Sequence, residues 1–236
     1  MSTPRTPGVW FPLPIGSDNI ILIGPGIALT AHAIFAALQD RTAEELRTKV
    51  GVTGNRDGSA KTTARLLRHN GWFFKTDCNR TAATADSLIR QAERLANLAR
   101  RVSLWHPEKS WFVLQSDSVW WLASYCPELL TFRSLPPGMV RSAAWTRMVE
   151  FSLTVSREHQ IGLDLNPSNF AMSDQQIVYL DDELYPPLTL RDVAEAIAAR
   201  IPEEIAFSPT EWHNWGSALR GSLRSNCQSR HDWREL

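Results

Sequence analysis

The residues with the clearest chemistry lie in Gly162-Leu-Asp-Leu-Asn-Pro-Ser-Asn-Phe170 and in Ile177-Val-Tyr-Leu-Asp-Asp-Glu183. Asp164 and Asn169 stand five residues apart, directly after a predicted long helix. Asp181 and Asp182 close an apolar strand twelve residues beyond Asn169. Carboxylate and amide oxygens are hard ligands that suit magnesium, and another carboxylate beside them can orient a hydroxyl and take its proton. Phosphoryl transfer needs that set. Asn-Pro and Ser-Asn are also turn formers, so the first stretch taken alone reads equally as a polar turn.

Two residues of the N-terminal half could serve the same chemistry. Lys75 ends the predicted strand Trp72-Phe-Phe-Lys75, and Glu93 follows eighteen residues later inside an amphipathic helix. Either one alone reads as a solvated charge. Their order ahead of the Asp164 segment gives the pair its meaning.

Together these motifs resemble the protein-kinase-like superfamily. They are closest to its aminoglycoside phosphotransferase-like and other atypical, minimal bacterial branches, where Asp-Leu-x-Pro-x-Asn precedes an apolar strand and an Asp. The resemblance implies an α+β, two-lobed protein-kinase-like fold. A small strand-rich N-lobe would carry one long helix, and the C-lobe would be reduced and mainly helical, with nucleotide between them. It implies ATP and Mg2+ as cofactors. Asp164 would be the catalytic aspartate, and Asn166 would reach the transferred phosphate. Lys75 would hold the donor phosphates with Glu93 as its partner. Asn169 and Asp181 would be magnesium ligands, with Asp182 as the alternative to Asp181. Gly54 and Gly58 take the nucleotide-loop positions without the G-x-G-x-x-G spacing. Gly162 stands where many kinases have histidine, no Phe-Gly follows Asp181, and Phe73 replaces the small residue that roofs the adenine.

The elements that must position these residues read as follows. Residues 1–50 form an N-terminal arm, irregular over 1–17, and a short helical segment, in which Asn19–Ile23 reads as a short buried strand, Leu29–Leu38 as a helix and Ala43–Val50 as a second short helix. Residues 51–135 form the N-lobe. It holds a hairpin about Asn70-Gly71, a helix over Thr84–Val102 with Leu88, Ala92, Leu95, Ala99 and Val102 on one face, and a strand pair about Ser116-Asp-Ser118. Pro136-Pro137-Gly138 marks the lobe boundary. Residues 136–236 form the C-lobe. In it Val140, Ala144, Met148 and Val155 line one face of a long helix, a short strand pair lies within 163–181, and helices cover Leu190–Arg200 and Thr210–Leu223.

Twenty-five basic residues balance 25 acidic ones, which argues against a general nucleic-acid binder. Cys78, Cys126 and Cys227 have no framework spacing, pointing to free thiols in a reducing compartment. The longest apolar stretch, Ile20–Leu29, is too short and too interrupted to span a bilayer. These features predict a cytoplasmic protein, or one delivered into a host cytosol. After Asp181 there is room for two or three helices of about ten to twelve residues each. That leaves the acceptor side open, which suits a protein or peptide hydroxyl better than an enclosed antibiotic or sugar. A pseudokinase is disfavoured because Lys75, Asp164, Asn169 and Asp181 all retain usable chemistry.

Overall fold

In the computed structural model, which describes residues 11–40, 42–46, 64–136, 138–204 and 209–226, the chain is a mixed α+β protein. The first elements are β1 (Ile20–Ile23), α1 (Ala31–Gln39), β2 (Glu44–Leu46), β3 (Ala64–His69), β4 (Trp72–Ala82), α2 (Ala85–Arg101), β5 (Ser110–Ser116) and β6 (Val119–Pro127). They are followed by α3 (Met139–His159), β7 (Phe170–Ser173), β8 (Gln176–Tyr179), α4 (Leu190–Glu204) and α5 (Pro209–Asn226). The chain divides into two compact units, Met1–Glu128 and Leu129–Leu236. No helix among the described residues is long and apolar enough to cross a membrane.

The first unit is built on a six-stranded antiparallel sheet of order β1-β5-β6-β4-β3-β2. Its hairpin β3–β4 turns at Asn70 and Gly71, with φ of 46° and 78°. Positive φ at both central residues is the twist-matched turn that Asn-Gly favours. One sheet face packs on α1: Leu67, Phe74, Phe112, Leu114, Ala123 and Tyr125 form a single core with Ile34, Ala37 and Leu38. Side chains alternate along a strand, so Trp111, Val113 and Leu122, also buried, face the other way. There α2 covers β4, β5 and β6 with its buried stripe Leu88, Ala92, Leu95 and Ala96.

Three expectations need correction here. The predicted helix over Ala43–Val50 is strand β2 where it is described, with Glu44, Glu45 and Leu46 opposite Arg68, Leu67 and Leu66. Edge pairing with β3, supported by the Arg68–Glu44 ion pair, overrides the helix preference of Glu-Glu-Leu. The described part of residues 1–50 is also not set apart from the N-lobe expected to begin at 51. β1 and β2 supply both edges of the sheet, and Phe11 is buried in the core. Finally, β4 does not end at Lys75. It continues, past an irregularity between Thr76 and Thr81, to Ala82. The β-branched threonines suit extended backbone, and β6 runs on as a partner.

In the second unit α3 packs on α5, with Trp145 and Trp215 edge to face at 6.5 Å. Ala144, Met148 and Val155 are buried as the helical period predicts, but Val140, in the first turn, is 59% exposed. The helix ends at Gln160 in the left-handed conformation. The β7–β8 hairpin follows, turning through Asp174 and Gln175, both at positive φ.

Candidate functional site

The loop from the end of α3 to β7 is shaped by its own polar side chains. Asn166 accepts a hydrogen bond on Oδ1 from the Ser168 N–H at 3.1 Å and caps one 3-10 turn, Pro167–Asn169, with Pro167 in its first position. Proline fits there because its fixed φ suits a helix start and its missing N–H costs nothing. The turn closes with Asn169 N–H donating to the Asn166 carbonyl at 2.7 Å. It thereby brings Asn169 back onto Asp164: Asn169 Nδ2 donates to Asp164 Oδ2 at 3.1 Å. The two residues are half-buried neighbours, so the polar turn and the candidate pair are one structure.

The hairpin supplies the second acidic group. Leu180 N–H donates to the Asn169 carbonyl at 2.7 Å, which fixes the end of β8 beside the loop. Asp181 and Asp182 follow at once and are 9% and 5% exposed. The Asp182 N–H donates to Asp181 Oδ1 at 2.7 Å. A backbone bridge then ties the next segment back. Gly162 N–H donates to the Tyr185 carbonyl at 2.8 Å, and Tyr185 N–H to the Gly162 carbonyl at 2.9 Å. A Cβ on Gly162 would lie 2.0 Å from the Pro186 carbonyl oxygen, so close backbone approach explains the glycine at this position.

Two tyrosines complete the site. Tyr179 Oη accepts from the Asp164 N–H at 3.2 Å and donates to the Glu183 carbonyl at 3.1 Å. Burial, reinforced by the Asp181 carboxylate, pushes its phenol well above the ordinary range. Tyr185 Oη donates to Glu183 Oε2 at 2.7 Å. Its phenol is raised as well, first by burial and then by Glu183, with Asp164 and Asp181 adding to the effect. Asp164 and Asp181 thus act on the same two hydroxyls, so their charges share one neighbourhood.

The donor set suits magnesium. A carboxylate only accepts, so it draws the Nδ2 end of Asn169 toward Asp164 and leaves Oδ1 as a ligand-type oxygen. Asp181 offers a second. Among the described residues no group of three or more His, Cys, Asp or Glu could hold a metal by itself. Magnesium in nucleotide sites takes one or two carboxylates plus substrate phosphates, so such a cage is not required.

The remaining predicted residues lie in the first unit. Lys75 is half-buried and pairs with Ser124 and Leu66 in the sheet. Alternation with Trp72 and Phe74 puts Lys75 and Phe73 on the face that α2 covers. Glu93 lies on α2, exposed and outside its buried stripe. Gly54 and Gly58 lie outside the described residues. Sequence reasoning missed Tyr179. A tyrosine in a short buried strand was the available signal, because its hydroxyl must find a partner there. Comparison of the chain with protein-family models, with curated proteins and with solved structures gives no match in any of the three.

Proposed function

We propose that this chain is an ATP- and magnesium-dependent phosphotransferase acting on a hydroxyl acceptor, a protein or peptide Ser or Thr, and that its units are the lobes of a reduced kinase-like fold. The observation that carries this reading is the Asp164–Asn169 hydrogen bond at 3.1 Å, on a loop from which a short hairpin leads directly to two buried aspartates. Element order adds support. In the first unit β3 and β4, then α2, then β5 and β6 run as hairpin, helix, hairpin, with Lys75 on the second of these strands and Glu93 on the helix.

In this reading Asp164 orients the acceptor hydroxyl and takes its proton. Asn166, with Oδ1 committed to the turn, offers its amide N–H groups to the transferred phosphate. Lys75 binds the donor phosphates, and Asn169 with Asp181 holds the metal. Bound magnesium would neutralise charge on the phosphates during transfer. The test is incubation with γ-labelled ATP and Mg2+, alone, with a degenerate Ser/Thr peptide library, and with aminoglycosides and sugars. Label in the chain or in peptides is the expected result. Label only in small molecules moves the acceptor class. No transfer to any acceptor, or to the chain itself, overturns the reading.

A further inference from the structure

We infer that Tyr179 is a positioning residue whose buried hydroxyl registers the loop carrying Asp164 against the chain that follows Asp181. The chemistry of the three groups fixes the direction of both bonds. A carbonyl oxygen only accepts, so the single phenol proton goes to Glu183 O; a backbone N–H only donates, so Asp164 N–H meets a phenol lone pair. The distances, 3.1 and 3.2 Å, suit both bonds. Tyr179 is fully buried. Its ring is held by pairing of β8 with β7 and by Phe170, with centroids 5.2 Å apart.

Gly162 with Tyr185 and Leu180 with Asn169 are tied backbone to backbone. Tyr179 adds a side-chain tie, and it acts on the peptide unit of Asp164 itself. The Asp164 N–H sets the direction from which its carboxylate leaves the chain. Misplacement of a reacting group by about 1 Å can cost on the order of a hundredfold in rate. The catalytic consequence rests on the phosphotransfer reading; the tether rests on geometry alone.

The experiment compares the full chain with its Tyr179→Phe variant, which keeps the ring and removes both bonds. Amide hydrogen exchange is followed at Asp164 and over residues 183–186, and transfer from γ-labelled MgATP to the degenerate peptide library is followed per folded molecule. Exchange at Asp164 should quicken by about two- to tenfold, the range for one lost hydrogen bond. The turnover number should fall at least about tenfold, with KM for MgATP held within about twofold, as for a group that acts in the transition state. A residue that only fills space would leave turnover per folded molecule unchanged, because phenylalanine fills the same space. That result, or unchanged exchange at Asp164, overturns the inference. Absence of transfer by the wild-type chain sinks the phosphotransfer reading instead, while exchange still decides the tether. Should the variant not fold, the Asp164 amide of the wild type decides: exchange at the rate of an open loop overturns the tether.

Discussion

At the scale of single residues, Asp164 and Lys75 should fail in different ways. Removal of a positioned general base costs on the order of 10² to 10⁴ in rate. Asp164→Ala should therefore bind MgATP nearly as wild type and transfer phosphate at least about a hundredfold more slowly. Lys75→Ala should weaken both binding and transfer, since a group on the donor phosphates acts before and during the reaction. Calorimetric titration beside steady-state rates separates the two, and full turnover by a well-folded Asp164→Ala chain would exclude the proposed base. Tyr179 gives an alkaline signature. Its folded-state pKa is raised, so its contribution to stability is complete below the unfolded value of about 10 and is lost as pH rises above that value. Thermal melts from pH 9 upward should show the wild type losing stability faster than Tyr179→Phe. Parallel curves would contradict the assignment.

At the scale of elements, the β7–β8 turn holds both Asp174 and Gln175 at positive φ, 48° and 67°. L-residues pay roughly 1–2 kcal/mol for the left-handed region, and glycine does not. Gln175 is exposed, so Gln175→Gly should raise the melting temperature, by about 1 kcal/mol in stability. A lower melting temperature would mean that the side chain contributes something the geometry does not reveal. The contrast between turns explains how much could be read in advance. Asn70-Gly71 announces its hairpin in its residue types, and the α2 stripe announces its buried face by period. The Asp164 loop was legible because Asn, Pro and Ser encode its turn locally. Strand β2 was not legible: Glu-Glu-Leu prefers helix, and only pairing with β3 makes it a strand. Tyr179 was hidden for a related reason, because the amide whose proton it accepts lies fifteen residues earlier in the chain.

At the scale of the whole molecule, the metal assignment is open to a binding test. ATP should raise the melting temperature only with Mg2+ present, by an amount corresponding to about 2.7 kcal/mol at a hundred times the dissociation constant. Asp181→Asn should remove most of that shift, and an unchanged shift in both Asp181→Asn and Asp182→Asn would sink the assignment. A chain lacking residues 1–46 tests the architecture of the first unit. It loses both edge strands and the α1 cover, including Phe11, Ile20, Ile34 and Leu38. Each such side chain contributes roughly 1.5–3 kcal/mol when buried, against a total stability of about 5–15 kcal/mol for a typical domain. Limited proteolysis should find the truncated first unit degraded; a protease-resistant remainder would show that the sheet does not depend on its edge strands.

That closure of the sheet by its earliest strands also governs the order of events on the ribosome. Ile20–Ile23 pairs with Trp111–Leu114, so β1 is made long before its partner exists. At translation rates of about 5–20 residues per second, the four apolar residues of β1 wait roughly five to twenty seconds for β5. During that interval an Ile-Ile-Leu-Ile segment with high strand preference stands unpaired. Helix α1 is the cover available in the meantime, because it lies next in the chain and packs on β1 in the finished fold. The β1–β5 pairing is the longest loop closure of the sheet, and closures of that length slow folding.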